Sequence, residues 1–229
     1  MESRILAEVS SGAKLRACAV WETRQCLVVP RRLARSPRYR LACRELEARG
    51  WPVLERITGG DTVPQGAGVL NVSLAFRMPR WSKVTLESVY RLLCAPIIAA
   101  ACVNGGVAGL GSVGASFCDG RFNVRVGERK LAGTSQSWRG VRSIESGQAI
   151  FAHAVILFDA DIEAGVEAVN AFASMMGEGS SASSDAHLNF RSIGEQFDAL
   201  ALAHYLESEV MKGVSHAQRR GFCRLRIPR

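Results

Sequence analysis

The sequence predicts an α+β fold, a largely antiparallel mixed sheet flanked by helices, and three observations carry that prediction. Strand-like segments fall in groups with helical segments between them, without the regular β-α alternation of a parallel sheet. The 229 residues are 48% hydrophobic and 22% charged, enough to bury a sizeable core and too ordinary for a disordered or collagen-like chain. No internal repeat or linker divides the chain, so residues 1–229 read as one domain.

The elements follow in order. Residues 15–21 and 26–29 read as short strands joined by the polar turn Glu22-Thr23-Arg24-Gln25. Ser36-Pro37 opens a helix, an N-cap with proline in the first turn, which runs through Leu41, Leu46 and Ala48 to a stop at Gly50. Residues 52–57 form a strand entering the Gly59-Gly60 turn. Residues 69–76 alternate apolar and small polar side chains, as a half-buried strand does. A helical pattern covers 85–103, with Val89, Leu92, Leu93 and Ile97 on one side, and ends at Gly105-Gly106. Strands are expected near 112–118, 122–126, 130–137 and 149–158, with Gly127-Glu128 placed for a hairpin turn. Asp161 begins a helix to about Met176. The Gly/Ser-rich stretch 177–185 is the expected mobile loop, and 193–211 forms a last amphipathic helix before a ragged basic tail.

Charge and cysteine usage narrow the class. There are 29 Lys plus Arg against 21 Asp plus Glu, a net charge of +8. Arginine clusters twice, at Arg31, Arg32, Arg35, Arg38 and Arg40 and again at Arg219, Arg220, Arg224, Arg226 and Arg229, whereas the lysines are only Lys14, Lys83, Lys130 and Lys212. Such a surface suits nucleic acid, an acidic protein partner, an acyl-carrier substrate or plain solvent. No zinc finger or RNP-like motif accompanies it. The seven cysteines are odd in number, scattered and free of C-x-x-C pairs, which argues against a disulfide framework or a structural zinc site. Most are expected to be packing residues in a reducing cytoplasm. The longest apolar run, 92–103, is short of the ~18 residues that a membrane span requires. Met1-Glu2-Ser3-Arg4 leads into no signal-like stretch, so neither export nor a membrane is expected.

Three segments carry chemistry. Arg56-Ile57-Thr58-Gly59-Gly60-Asp61 sets a cation before a paired-glycine turn, able to present backbone N–H groups to an anion or carbonyl, or to serve simply as a turn. Ser116-Phe117-Cys118-Asp119-Gly120-Arg121-Phe122-Asn123 puts a polar-flanked cysteine at a strand end. A nearby cation favours its thiolate, while Asp119 opposes it; a buried packing thiol is the competing reading. In Gly127-Glu128-Arg129-Lys130-Leu131-Ala132-Gly133-Thr134-Ser135-Gln136, a lysine leaving a tight turn precedes small residues, Ala132, Gly133 and Ser135, that let a ligand approach the backbone; a solvent-facing charge is the competing reading.

Together these segments resemble the lipoate–protein ligase and octanoyltransferase superfamily. The resemblance rests on Arg56-x-x-Gly59-Gly60-x-x-Val63, Gly68-Val69-Leu70-Asn71-x-Ser73-Leu74, Gly127-x-Arg129-Lys130-x-Ala132-Gly133-x-x-Gln136 and His153-x-x-Ile156-Leu157, in that order. Trp21-Glu22 with Leu27-Val28-Val29 is similar to the family's opening hairpin. The resemblance implies the biotin/lipoate protein ligase catalytic fold. Ser116-Phe117-Cys118-x-Gly120 looks like the cysteine-dependent amidotransferase branch, which holds an octanoyl or lipoyl group as a thioester. It implies Cys118 as nucleophile and Lys130 as its oxyanion-stabilising partner, with Arg56, Thr58, Gly59, Gly60, Asn71, Gly133, Thr134 and His153 around the acyl chain. It further implies transfer to a lysine of a lipoyl-domain protein, with the glycine-cleavage H protein or acyl carrier protein as partner, its acidic surface facing the arginines. No cofactor or metal is then expected; nucleic acid is not the expected partner.

Two departures bear on the alternative, an ATP-dependent ligase that would need Mg²⁺. Asn123 stands where both branches typically carry aspartate, and Asp61 where ligases usually carry a third glycine. Both count against a metal-bound triphosphate. A non-catalytic module binding a carrier or nucleic acid is the remaining alternative.

Overall fold

The computed structural model describes residues 1–79, 82–141, 147–179 and 182–220, with the Arg220 side chain left aside. Cys223, Arg224, Arg226 and Arg229 of the basic tail lie outside the described residues.

A six-stranded antiparallel sheet forms the centre, in the order β1-β5-β9-β8-β7-β6. These strands are β1 (Arg16–Trp21), β5 (Val69–Met78), β6 (Ala108–Leu110), β7 (Val124–Val126), β8 (Arg129–Gly140) and β9 (Gln148–Leu157). A small second sheet places β2 (Cys26–Pro30) between β3 (Val53–Arg56), parallel to it, and β4 (Val63–Gln65), antiparallel to it. The expected α+β fold with a mainly antiparallel sheet between helices is what forms.

Helices cover both faces of the large sheet. One face takes α3 (Leu86–Val103) and α5 (Ala199–Arg220), which bury Leu70, Val72, Leu74 and Phe76 of β5. The other takes α1 (Glu2–Ser11), whose Ile5, Leu6 and Val9 pack on Ala17, Ala75 and Phe151. The helix α1 does not emerge from the sequence, because its apolar face is only those three residues. Its presence corrects β5 from half-buried to almost wholly buried, since both faces are covered. The helices α2 (Tyr39–Ala48) and α4 (Ile162–Met176) close a third cluster around Leu27, Val29, Leu46 and Phe172.

Local chemistry explains the boundaries. Thr85 and Ser88 form a capping box at the start of α3, and Asp161 caps α4 by accepting the Ala164 N–H. Gly127, at φ +58°, makes the turn between β7 and β8. The last helix starts at Ala199, later than expected, because the Asp198 side chain accepts the Ala201 N–H at 2.7 Å while Phe190–Ser192 forms a 3-10 turn. Helix α3 reaches membrane-spanning length and apolarity, against the expectation of too short a run, but half of it is buried in the core.

Three further expectations are corrected. First, β1 and β2 are not a hairpin; they belong to different sheets, and residues 22–25 cross between them. Second, 112–118 is not a strand. Pairing ends at Leu110, and Gly111, Gly114 and Gly120 punctuate a loop in which Ala115 and Cys118 have positive φ. Third, the described part of 177–185 is tied down: Asn170 bonds both the N–H and the C=O of Ala182, and the Ser183 N–H donates to Ala115 O at 2.8 Å. Residues 180 and 181 lie outside the described residues.

Candidate active site

The loop between β6 and β7 presents Cys118, and Asp119 organises it. One carboxylate oxygen of Asp119 accepts the N–H groups of Val113 (2.8 Å), Gly120 (2.7 Å) and the Asn123 side chain (2.9 Å). Cys118 sits at φ +48°, a left-handed backbone that costs a non-glycine residue about 1 kcal/mol. Strain of this kind survives where neighbours over-determine the geometry.

Here they do, from two directions. Lys130, at the start of β8, is buried and donates through Nζ to the carbonyls of Phe117 (2.5 Å) and Cys118 (2.8 Å). His187 stacks on the Phe117 ring at 4.2 Å, and its Nε2 accepts the Phe117 N–H at 3.2 Å. Its Nδ1 donates to Ser183 O at 2.8 Å, which fixes the neutral tautomer. Burial pushes the His187 imidazole down to about 4, and Lys130 pushes in the same direction.

The glycine turn meets the sulfur from the far side. The Asp61 N–H donates to Cys118 Sγ at 3.1 Å, and Arg56 Nη2 lies 4.0 Å from the same sulfur. The Arg56 guanidinium is buried and donates to the carbonyls of Val28, Gly59 and Asp61, so it splints the turn rather than standing free for a ligand. Gly60 has φ +97°, and a Cβ there would lie 2.8 Å from Cys118 Sγ. Gly133 does the same for the lysine: its absent Cβ would meet Lys130 Cε and Nζ at 3.2 Å. The small residue expected to admit a ligand admits the ammonium.

Burial pushes the Lys130 ammonium down to about 8, against the opposing influence of Cys118, Asp119 and Asp61. It therefore carries its proton at neutral pH. Two of its three N–H groups have partners among the described residues.

Cys118 stands where two cavities meet. An internal slot is walled by Trp21, Val28, Leu54, Val63, Phe117 and Val155, with Lys130 and His153 also on its wall. An open, more polar pocket is lined by Gly59, Gly60, Tyr90, Asp119 and Asn123. Cys118, Thr134 and Ser135 line both. Asn71 and Gln65 bond each other's amides at 2.7 and 3.1 Å along the slot. The Thr134 hydroxyl donates to Phe122 O. Thr58 lies on neither wall; it is buried behind, its hydroxyl 3.1 Å from His153 Nε2.

That histidine leads to Glu2, which the sequence does not point to. His153 Nδ1 donates to Glu2 Oε1 at 2.8 Å, and the Ser73 hydroxyl donates to the same oxygen at 3.2 Å. The ring thus bridges Glu2 at Nδ1 and Thr58 at Nε2. Burial alone would raise the Glu2 carboxyl, but the His153 and Ser73 hydrogen bonds outweigh it and hold it low. Glu2 and His187 are thus site residues that no local motif announced, whereas Ser135 belongs to the small-residue run after Lys130.

The remaining cysteines are mostly as expected. Burial pushes the Cys18 and Cys94 thiols up to about 12, though Cys102 is exposed. Among the described residues, no three His, Cys, Asp or Glu side chains are placed to share a metal ion.

A thiol on the β6–β7 loop and a buried ammonium on β8 thus share the wall of one apolar slot. The chain belongs to the lipoyl protein ligase A/B catalytic domain family, whose model matches residues 1–192. It is 36% identical over 180 residues to the octanoyl-[GcvH]:protein N-octanoyltransferase of Kyrpidia tusciae, covering 75% of this chain and 62% of that one. The chain thus spans about three fifths of the length of that curated relative. A crystal structure of lipoate-protein ligase A bound with ATP superposes with a TM-score of 0.71 at 14% identity, over 93% of this chain and 78% of that one. A bi-partite lipoate protein ligase of Thermoplasma acidophilum gives a TM-score of 0.61 at 13% identity, over 93% and 80%. These two likenesses show the fold.

Proposed function

We propose that this chain moves an octanoyl or lipoyl group through a thioester on Cys118 to a lysine of a lipoyl-domain protein. The observation that carries the reading is Cys118 Sγ at the junction of an apolar slot and an open polar pocket, with the Asp61 N–H on the sulfur. The slot suits an acyl chain; the open pocket suits the reacting amine. The name of the Kyrpidia relative supports octanoyl as the group and GcvH as donor partner; an acyl carrier protein is the other donor we propose.

The chemistry balances in two steps. The Cys118 thiolate attacks the acyl carbonyl, a C–S bond forms, and the donor's thiolate or lysine amine departs, the amine taking up a proton. Lys130 Nζ, with one N–H left over after its two bonds among the described residues, stands to donate to the carbonyl oxygen as negative charge builds there. The acceptor's neutral ε-amine then attacks the thioester, loses a proton and expels the Cys118 thiolate.

No ATP or metal enters this route. What supports that is the pair of departures: Asn123 donates its amide to Asp119, and the Asp61 position carries a carboxylate, paired with Arg32, where a ligase has glycine. A second carboxylate at 123 would face Asp119 directly. A free nucleophilic thiol also fits the reducing cytoplasm.

Intact-mass spectrometry tests the reading, with octanoyl-GcvH or octanoyl-carrier protein as donor and an apo lipoyl domain as acceptor. The expected result is an octanoyl adduct on Cys118 that chases to the acceptor and is absent in Cys118→Ala. No adduct from any donor, or Cys118-independent exchange of pyrophosphate into ATP with free lipoate, would overturn it.

A further inference from the structure

Five exposed arginines fall within ten residues that adjoin the glycine turn through Arg32: Arg31, Arg32 and Arg35 on a 3-10 helix, Arg31–Arg35, and Arg38 and Arg40 at the head of α2. The acidic groups next to them are already engaged, Glu55 with Arg31 at 3.6 Å and Asp61 with Arg32 at 2.5 Å. Arg38 lies against Gly177 at the end of α4. Arg35, Arg38 and Arg40 have no ion-pair partner among the described residues. The face therefore carries uncompensated positive charge.

Its position gives that charge a meaning. Arg32 Nη2 also donates to the Gly60 carbonyl at 3.0 Å, and the next N–H along the chain, that of Asp61, is the one on Cys118 Sγ. One side chain joins the patch to the turn that holds the sulfur. Whatever binds here has the open pocket, and the thiol in it, beside it.

We propose that this arginine face is the docking surface for an acidic carrier domain that delivers its acyl group to Cys118, with Arg32 joining the docked carrier to the sulfur-holding turn. The assignment rests on the acyl-transfer reading. It names an acidic protein rather than a nucleic acid because the partner has to bring a carbonyl to Sγ. Long-range attraction of this kind speeds encounter and is screened by salt.

The test compares two donors on the full chain: an octanoyl-loaded acidic carrier domain, and the small uncharged thioester octanoyl-N-acetylcysteamine. Adduct formation is followed by intact mass for the unsubstituted chain, for Arg35→Glu/Arg40→Glu, and for Arg139→Glu at the distal end of β8 as a control. The expected result is a drop of about 10- to 100-fold in kcat/KM with the carrier for the double variant, shrinking as salt is raised. The small thioester should react within about twofold in all three chains. Equal carrier kinetics in the double variant and the control would overturn the docking assignment alone. So would a double variant that loses affinity for a duplex oligonucleotide yet keeps its carrier kinetics. No adduct from either donor on the unsubstituted chain would overturn the acyl-transfer reading, and the assignment with it.

Discussion

Gly60 is the position where one methyl group separates structure from chemistry. An alanine Cβ there would lie 2.8 Å from Cys118 Sγ and 2.9 Å from Arg56 Nη2, at a φ of +97°. The backbone conformation alone costs a non-glycine residue about 1–2 kcal/mol. Comfortable carbon contacts need about 3.5 Å or more, so the sulfur has to withdraw by roughly 0.7 Å. That stretches the 3.1 Å Asp61 N–H contact to roughly 3.8 Å, close to the limit for a sulfur acceptor, and so removes most of its strength. A hydrogen bond to a charged group is worth about 1.5–3 kcal/mol, or roughly 10- to 100-fold in rate where it stabilises the reacting thiolate. Gly60→Ala should therefore lower the second-order rate of octanoyl adduct formation by that factor, and urea unfolding should show a loss of about 1–3 kcal/mol. Gly59→Ala is the internal control, because a Cβ there meets nothing within 4 Å. It should leave both readouts within about twofold and 0.5 kcal/mol. Equal behaviour of the two alanine variants would refute the reasoning.

Other outcomes follow from the same geometry. Cys118→Gly should be more stable than Cys118→Ala by about 1 kcal/mol in chemical denaturation, because only the alanine keeps the left-handed strain at φ +48°; equal stabilities would remove strain from the account. Lys130 falls to about 8 in the folded chain against 10.5 ordinarily, so the unfolded chain binds more protons between those values. Folding stability should then rise with pH across that window by up to roughly 3 kcal/mol, and Lys130→Met should abolish the rise. The adduct rate of the native chain should fall above pH 8 as the ammonium is lost; a flat profile to pH 9.5 would argue against Lys130 acting as a cation. His187, neutral and near 4 when folded against 6.5 ordinarily, contributes stability that is present above pH 6.5 and lost as pH falls toward 4. His187→Gln should flatten that acid limb in a pH series of urea melts, and an unchanged limb would assign it to other groups.

What was legible in the sequence is what short-range chemistry encodes. Thr85 and Asp161 announce α3 and α4 because a cap acts within one turn, and Gly127 announces the β7–β8 hairpin because the turn needs its φ. Cys118 and Lys130 are legible as a pair by resemblance and lie 12 residues apart. The unread parts depend on distant partners. Glu2 matters through a residue 151 positions away, and His187 through one 70 positions away. The role assigned to Arg56 shifts from ligand cation to splint for a similar reason: the carbonyl of Val28 that it holds belongs to another strand. Residues 112–118 have a strand-like composition, and only the Asp119 side chain, gathering three N–H groups, shows that they curl.

Glu2 and His153 both line the slot and are joined across 151 positions, whereas the Asp61 contact with the sulfur spans 57. The slot's wall therefore depends on the helix carrying Glu2, and the sulfur's own contacts do not. A chain trimmed at its first residues should keep a reactive Cys118 yet lose its grip on the acyl chain.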